Sequence, residues 1–205
     1  MAMKMKIGLA SLAILIALAA HAQVFEKFRL GVGGGLAIPT GLASGPGVLM
    51  YLEPSYPVSN ALRVGIRAEW ALVTIGLPDG ERYRASLFGT YTANIKYYLN
   101  NGKPRVFAGA GLGFYYVPGI HTRSSFDILW LLAGDMGGDG ITAAETKFGY
   151  YPRVGLEFER FVFSVDYNFI PSAPVIKPGY EGSTKNSYFG LHIGVNLFAK
   201  KPGEK

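Results

Sequence analysis

The chain has 205 residues, a formal net charge of +6, no cysteine, 28 glycines and 14% aromatic residues. Without cysteine there is no disulfide framework and no thiolate metal centre, and charge this mild and scattered gives no basis for nucleic-acid binding. Past the N-terminal segment no apolar run is long enough for a membrane helix; glycines and aromatics in alternating patterns suit strands instead.

In chain order the first element is an export signal. Lys4 and Lys6 form a basic stretch, Ile7–Ala20 an apolar one, and Ala20-His21-Ala22 a small-x-small cleavage site before Gln23. The apolar run of about 14 residues falls short of the roughly 20 a spanning helix requires. Residues 1–22 are therefore expected to be a cleaved signal peptide and residues 23–205 a single domain. Cleavage takes two lysines from the formal +6 and leaves +4. No cysteine follows the apolar run, which excludes a lipid-anchored lipoprotein.

Eight strands are predicted: Lys27–Ile38, Gly47–Tyr56, Ala61–Val73, Tyr83–Leu99, Arg105–Val117, Lys147–Phe158, Phe161–Ile170 and Ser187–Phe198. Ala61–Val73, ALRVGIRAEWALV, shows the pattern most clearly. Leu62, Val64, Ile66, Ala68, Trp70 and Leu72 share one face; Arg63, Gly65, Arg67 and Glu69 share the other. Repeated through a chain with an export signal, this alternation predicts apolar side chains facing lipid and charges facing a lumen. The connections alternate too. Pro57–Asn60, Asn100–Pro104 and Glu159–Arg160 are short, whereas Pro39–Pro46, Thr74–Arg82, Pro118–Thr146 and Pro171–Asn186 are longer. Outer-membrane barrels have short periplasmic turns and longer external loops.

Aromatic residues fall in two groups. Phe28, Tyr56, Tyr97, Phe158 and Phe161 belong near the short-turn rim; Trp70, Phe114, Tyr116, Tyr150, Phe169 and Phe189 belong near the other. Pro152 sits mid-strand on the lipid face, where it lacks a ladder donor and predicts a bulge or a lost bond. The expected fold is all-β: one eight-stranded antiparallel transmembrane β-barrel of up-and-down topology. Ten strands result if part of Phe126–Ala133 also pairs.

Tyr150–Pro171, YYPRVGLEFERFVFSVDYNFIP, and Ser187–Phe198, SYFGLHIGVNLF, resemble the last hairpins of small bacterial outer-membrane β-barrel proteins of the OmpA/OmpX/OmpW-like, porin-family style. The resemblance covers the signal segment and essentially all of the mature chain, and implies a Gram-negative cell-envelope location in the outer membrane. Members commonly end in a terminal Phe read by the barrel-assembly machinery; here Phe198 is followed by AKKPGEK, so that signal is internal or divergent. No periplasmic peptidoglycan-binding domain is expected.

The predicted inward charges are Arg29, Glu53, Arg63, Arg67, Glu69, Arg84, Lys96, Arg105, Arg153, Glu157 and Asp166. On the lipid face each would cost about 2–4 kcal/mol at mid-membrane, so the lumen is their place. An eight-stranded barrel is wide enough only to be filled by side chains or to hold a small ligand. Ion pairs that fill the lumen are the reading adopted, with inward glycines making room for long Arg and Tyr side chains. A path for ions, small solutes or hydrophobic ligands is the alternative, and a lipid-modifying enzyme a more distant one.

Gly138–Ala143 fits a dinucleotide fingerprint only formally, since no strand precedes it and no helix follows. Asp135, Asp139, Gly140 and Glu145 approach a calcium-loop pattern, but Gly137 stands where a ligand belongs. Of the histidines, His121 and His192 remain after cleavage, and neither is given an inward serine and acid by its own strand. No catalytic residues, metal or cofactor are expected. The loop 118–146 carries an apolar stretch in which Phe126, Leu129, Trp130 and Leu131 are candidates for covering the mouth or meeting a ligand or partner. Expected partners are outer-membrane lipid, lipopolysaccharide and, during biogenesis, the barrel-assembly machinery; the chain is expected to be a monomer.

Overall fold

The apolar–polar alternation produces a sheet that closes on itself. The computed structural model describes residues 28–40, 45–75, 84–117, 145–174 and 183–198. Its strands are β1 (Arg29–Pro39), β2 (Gly45–Pro57), β3 (Leu62–Ile75), β4 (Arg84–Tyr98), β5 (Arg105–Val117), β6 (Glu145–Phe158), β7 (Phe161–Asn168), β8 (Ala173–Pro174), β9 (Ser183–Thr184) and β10 (Tyr188–Leu197). Eight of them form a closed antiparallel barrel in the order β1-β10-β7-β6-β5-β4-β3-β2, and β8 pairs with β9 in the connection between β7 and β10. Closure runs from Leu30 opposite Leu197 to Pro39 opposite Tyr188, so the first and last barrel strands leave no open edge. The barrel thus has the expected class, strand number and meander. The stretch that would have supplied two further strands, Phe126–Ala133, lies outside the described residues.

The barrel is apolar outside and polar inside. Met50 and Ile66 keep 63% and 62% of their surface exposed on the outer face, while Glu53, Arg67 and Asp166 are buried within. Water would penalise such a surface; a bilayer supplies the apolar surroundings, and the closed ladder leaves no open strand edge. Outward aromatics cluster near the long-loop end. Tyr150 stacks on Phe169 at 4.7 Å between ring centroids, and Tyr167 meets Phe169 at 4.5 Å and Phe189 at 4.6 Å.

Element ends differ from expectation by a few residues. Arg105–Val117 has the predicted bounds, β2 and β3 run further towards the long loops, and β7 stops at Asn168 with Phe169 continuing as a lone bridge to Tyr150. At Pro152 the outcome is a lost bond and not a bulge. Tyr150 and Phe169 exchange both backbone bonds, at 3.3 and 2.8 Å, and pairing resumes at Arg153 opposite Asp166 in the same register. In an antiparallel ladder the next bonded pair after Tyr150–Phe169 is Pro152 with Tyr167, and proline has no N–H to give. On its other side Pro152 stays in unbroken register with Ala110.

The short turns are tightly bonded. Val58 N and Ser59 N donate to Leu62 O at 2.9 and 3.1 Å, and Glu159 turns the chain with φ 55°, a left-handed conformation. A barrel built this way should resist detergent until heated. We expect the refolded chain to migrate differently in boiled and unboiled samples on a denaturing gel; identical mobilities would contradict the closed barrel.

Candidate functional site: the polar interior

Glu53, Arg63, Arg67, Glu69, Lys96, Arg153, Glu157 and Asp166 are buried, Arg29 and Arg105 are half-buried, and register brings most of them together. Tyr51 faces inward on β2 two places from Glu53, Arg67 two places from Glu69 on β3, and Arg153 faces Asp166 directly across the β6–β7 ladder. Glu53 accepts ion pairs from Lys96 on one oxygen and from Arg153 Nη1 on the other, the latter at 2.8 Å. Arg153 Nε reaches Asp166 Oδ2 at 3.3 Å, and Arg67 Nη1 reaches the same oxygen at 3.0 Å. Arg67 also pairs with Glu69, which accepts a hydrogen bond from Tyr188 Oη at 2.7 Å. The result is one chain of contacts, Lys96–Glu53–Arg153–Asp166–Arg67–Glu69–Tyr188, drawn from β4, β2, β6, β7, β3 and β10.

Aromatic rings fill the space around these cations. The Arg67 guanidinium lies 4.6 Å from the centroid of Tyr51, and Arg153 lies 4.8 Å from that of Tyr151. Rings this large fit because glycines face them. A Cβ at Gly111 would lie 2.6 Å from Tyr151 Oη, closer than side-chain atoms approach, so only glycine leaves room for that ring.

His192 is fully engaged. Its Nε2 lies 2.9 Å from Asp166 Oδ2 and its Nδ1 2.9 Å from Arg67 Nη2. Since Arg67 can only donate, Nδ1 accepts, and Nε2 carries the proton that it donates to Asp166; the partners select this tautomer. Sequence reading found no serine and acid for His192, and here register corrects it. Ser164 stands directly opposite His192 on β7, two places from Asp166. The three are neighbours, yet no hydrogen bond joins Ser164 to the ring, whose nitrogens are held by Arg67 and Asp166. The arrangement orients an imidazole without freeing a base for a nucleophile.

Two further layers bracket this one. At the short-turn end Arg29 pairs with Glu157, whose other oxygen accepts from Tyr98 Oη at 2.5 Å. Arg105 lies over the Tyr98 ring at 3.7 Å and donates from Nη2 to the Asn60 carbonyl at 2.6 Å, while Arg63 is buried beside this group. Towards the long loops the inward side chains turn apolar, with Ala37, Leu49, Ala71, Val73, Phe88, Val117 and Ile170 clustered beneath Tyr115 and Tyr188. That layer was missed in the sequence, although Leu49, Ala71, Val73 and Phe88 continue the inward phase of their strands. Arg84 opens β4 opposite Ile75. Glu145 pairs with Lys147 at 2.8 Å, which already supplies its counter-charge. His121, Phe126, Leu129, Trp130, Leu131 and Gly138–Ala143 lie outside the described residues. Among the described residues no three His, Asp or Glu side chains are grouped to hold a metal ion.

Asp166 is the most heavily used acceptor, since Asn168 Nδ2 also donates to its Oδ1 at 2.9 Å. Asp166→Asn removes the charge shared by Arg67, Arg153 and His192 while keeping the side-chain shape. Breaking one partner of a buried ion pair costs about 3–5 kcal/mol, and the surviving Glu69 and Glu53 pairs should hold the loss near the lower figure. Neutralising the exposed Lys103–Glu159 pair, 3.9 Å apart, should cost under about 0.5 kcal/mol. Urea unfolding of the two variants in lipid vesicles measures both.

No protein-family model and no curated protein matches the chain. Among solved structures it is similar to the solution structure of the E. coli outer membrane protein W, with 15% identity, 82% of this chain and 96% of that one covered, and a TM-score of 0.41. It is also similar to Ail, the attachment invasion locus protein of Yersinia pestis, with 15% identity, 83% and 98% covered, and a TM-score of 0.37. Ail in complex with the heparin analogue sucrose octasulfate aligns in the same way, with a TM-score of 0.38. At this identity and superposition the likeness carries nothing about activity or ligand; the barrel rests on its own ladders.

Proposed function

We propose that the chain is an integral outer-membrane protein with a structural or surface-interaction role, and that its lumen is closed to solutes. The observation that supports this most directly is the chain of ion pairs from Lys96 to Glu69, whose members Glu53, Arg67, Arg153 and Asp166 are buried and paired with one another. A lumen of eight strands has little room beyond its own side chains, and this layer draws side chains from opposite walls into contact. The apolar outer belt supports residence in a bilayer, and residues 1–22 support export to the outer membrane as a cleaved signal. The role is read as non-catalytic, because the one described histidine is consumed in orienting Arg67 and Asp166. Lipid and lipopolysaccharide would be its surroundings, the barrel-assembly machinery its route of insertion, and a monomer its working form.

Planar-bilayer recordings of the refolded protein test the closed lumen. The expected result is no discrete conductance steps from the unmodified chain. Steps that change size when Arg67 or Arg153 is neutralised would replace this reading with the small-channel one. The export segment has its own test: the intact mass of protein recovered from the outer-membrane fraction should correspond to a chain beginning at Gln23, and a mass that includes residues 1–22 would contradict cleavage.

A further inference from the structure

Charge balances in the middle of the lumen but not at its short-turn end. In the middle layer Lys96, Arg67 and Arg153 face Glu53, Glu69 and Asp166, and each carboxylate is ion-paired. At the short-turn end Arg29, Arg63 and Arg105 share the space with Glu157, which stands opposite Arg105 across the β5–β6 ladder and is the buried carboxylate there among the described residues. Glu157 is already used, by Arg29 on one oxygen and by Tyr98 Oη on the other. Arg105 is held by a carbonyl and by the face of Tyr98, neither of which carries a formal charge.

Arg63 is the sharper anomaly. It is 6% exposed, and among the described residues its side chain has no hydrogen bond and no ion pair. Its Nε and that of Arg105 are both buried without a partner. Two residues along the same β3–β4 ladder, where Arg63 faces Lys96 and Gly65 faces Asn94, the Asn94 amide nitrogen is a third buried donor without an acceptor. Buried donors are nearly always satisfied, and a buried guanidinium needs a counter-charge more than any neutral group does. What this end lacks is acceptors carrying negative charge.

We propose that Arg63 and Arg105, with Arg29 beside them, form a seat for a small oxyanion of the phosphate class, entered from the short-turn end of the barrel. The planar guanidinium offers paired N–H groups that match two oxygens of one phosphate, a fit that a spherical halide does not use. Tyr98 and Phe107 wall the seat, with Tyr98 bonded to Glu157 and Phe107 under the Lys96 ammonium at 5.4 Å, so neither competes for the anion. The seat lies at the rim, outside the ion-pair chain, and does not depend on whether the lumen conducts.

Titration calorimetry of the refolded chain in non-ionic micelles tests the seat, first with inorganic phosphate and then with phosphatidic acid doped into the micelles. The expected result is saturable binding of one phosphate per chain, weakened at least tenfold by Arg63→Gln and by Arg105→Gln. Lys103→Gln, at the same end but 53% exposed on its side chain, should leave it unchanged. Arg63→Lys keeps the charge without the fork and should give an intermediate loss; heat-modifiable migration verifies that each variant is a barrel. Binding of phosphatidic acid alone, lost in Arg63→Gln, supports the seat with a lipid headgroup as its source. Absence of saturable binding in both arms overturns the proposal.

Discussion

The interior depends on Asp166. Its carboxylate stands between Arg67 at 3.0 Å and Arg153 at 3.3 Å, with His192 at 2.9 Å and Asn168 at 2.9 Å completing its contacts. In a soluble protein a charge so placed has water as an alternative. Buried on the inner face of the barrel, these groups have one another as partners, and Coulomb attraction there is several times stronger than at a wetted surface. Two guanidiniums meet at one oxygen because that oxygen is charged. Their other contacts, to Glu69 and Glu53, then extend the pairing across the barrel.

The sheet meets a different demand on its outer face. Every backbone donor towards lipid must be paired, yet Pro152 sits in the middle of β6 with none to offer. The structure absorbs this without shifting register, since the missing bond costs one contact between β6 and β7 while the ladder to β5 stays whole. Tyr150, stacked on Phe169, and Tyr167, edge-on to it, lie on the lipid side beside that gap, and their contact area bears on the two strands where the backbone bond is absent. Side-chain packing of this kind contributes about 0.5–1.5 kcal/mol per aromatic pair, the same order as one backbone hydrogen bond.

The wall of the barrel was legible in the sequence because a strand has a period of two. Once one charged residue is assigned inward, Arg63, Arg67 and Glu69 all follow, and the long alternating runs define the strand count. Partners across the lumen were not legible. Which inward residues meet depends on how far each strand is staggered against the next and on closure of β1 on β10. Neither leaves a local pattern. Hence Ser164 opposite His192, and Tyr188 reaching Glu69 from a strand more than a hundred residues later, emerge only from the structure. The apolar inner layer was missed for a related reason. Phe88, in the inward phase of the 15-residue β4, and Ile170 are apolar, so no contrast in polarity marks them as inward.

The three layers together explain why charge sits where it does. Towards the long loops the described inner wall is largely apolar, which spares that cluster from needing counter-ions. The middle layer supplies that tie with equal numbers of cations and carboxylates, each reachable from an opposite wall. At the short-turn end buried cations exceed buried carboxylates among the described residues, and the excess is carried by Arg63 and Arg105, which form no ion pair there although Glu157 stands opposite Arg105 across the ladder. A barrel whose only need was a filled interior would gain from neutral side chains at those two positions, since unpaired buried charge opposes folding. Arginine at both therefore argues that this end answers to something outside the described wall, while the middle layer answers to the wall itself.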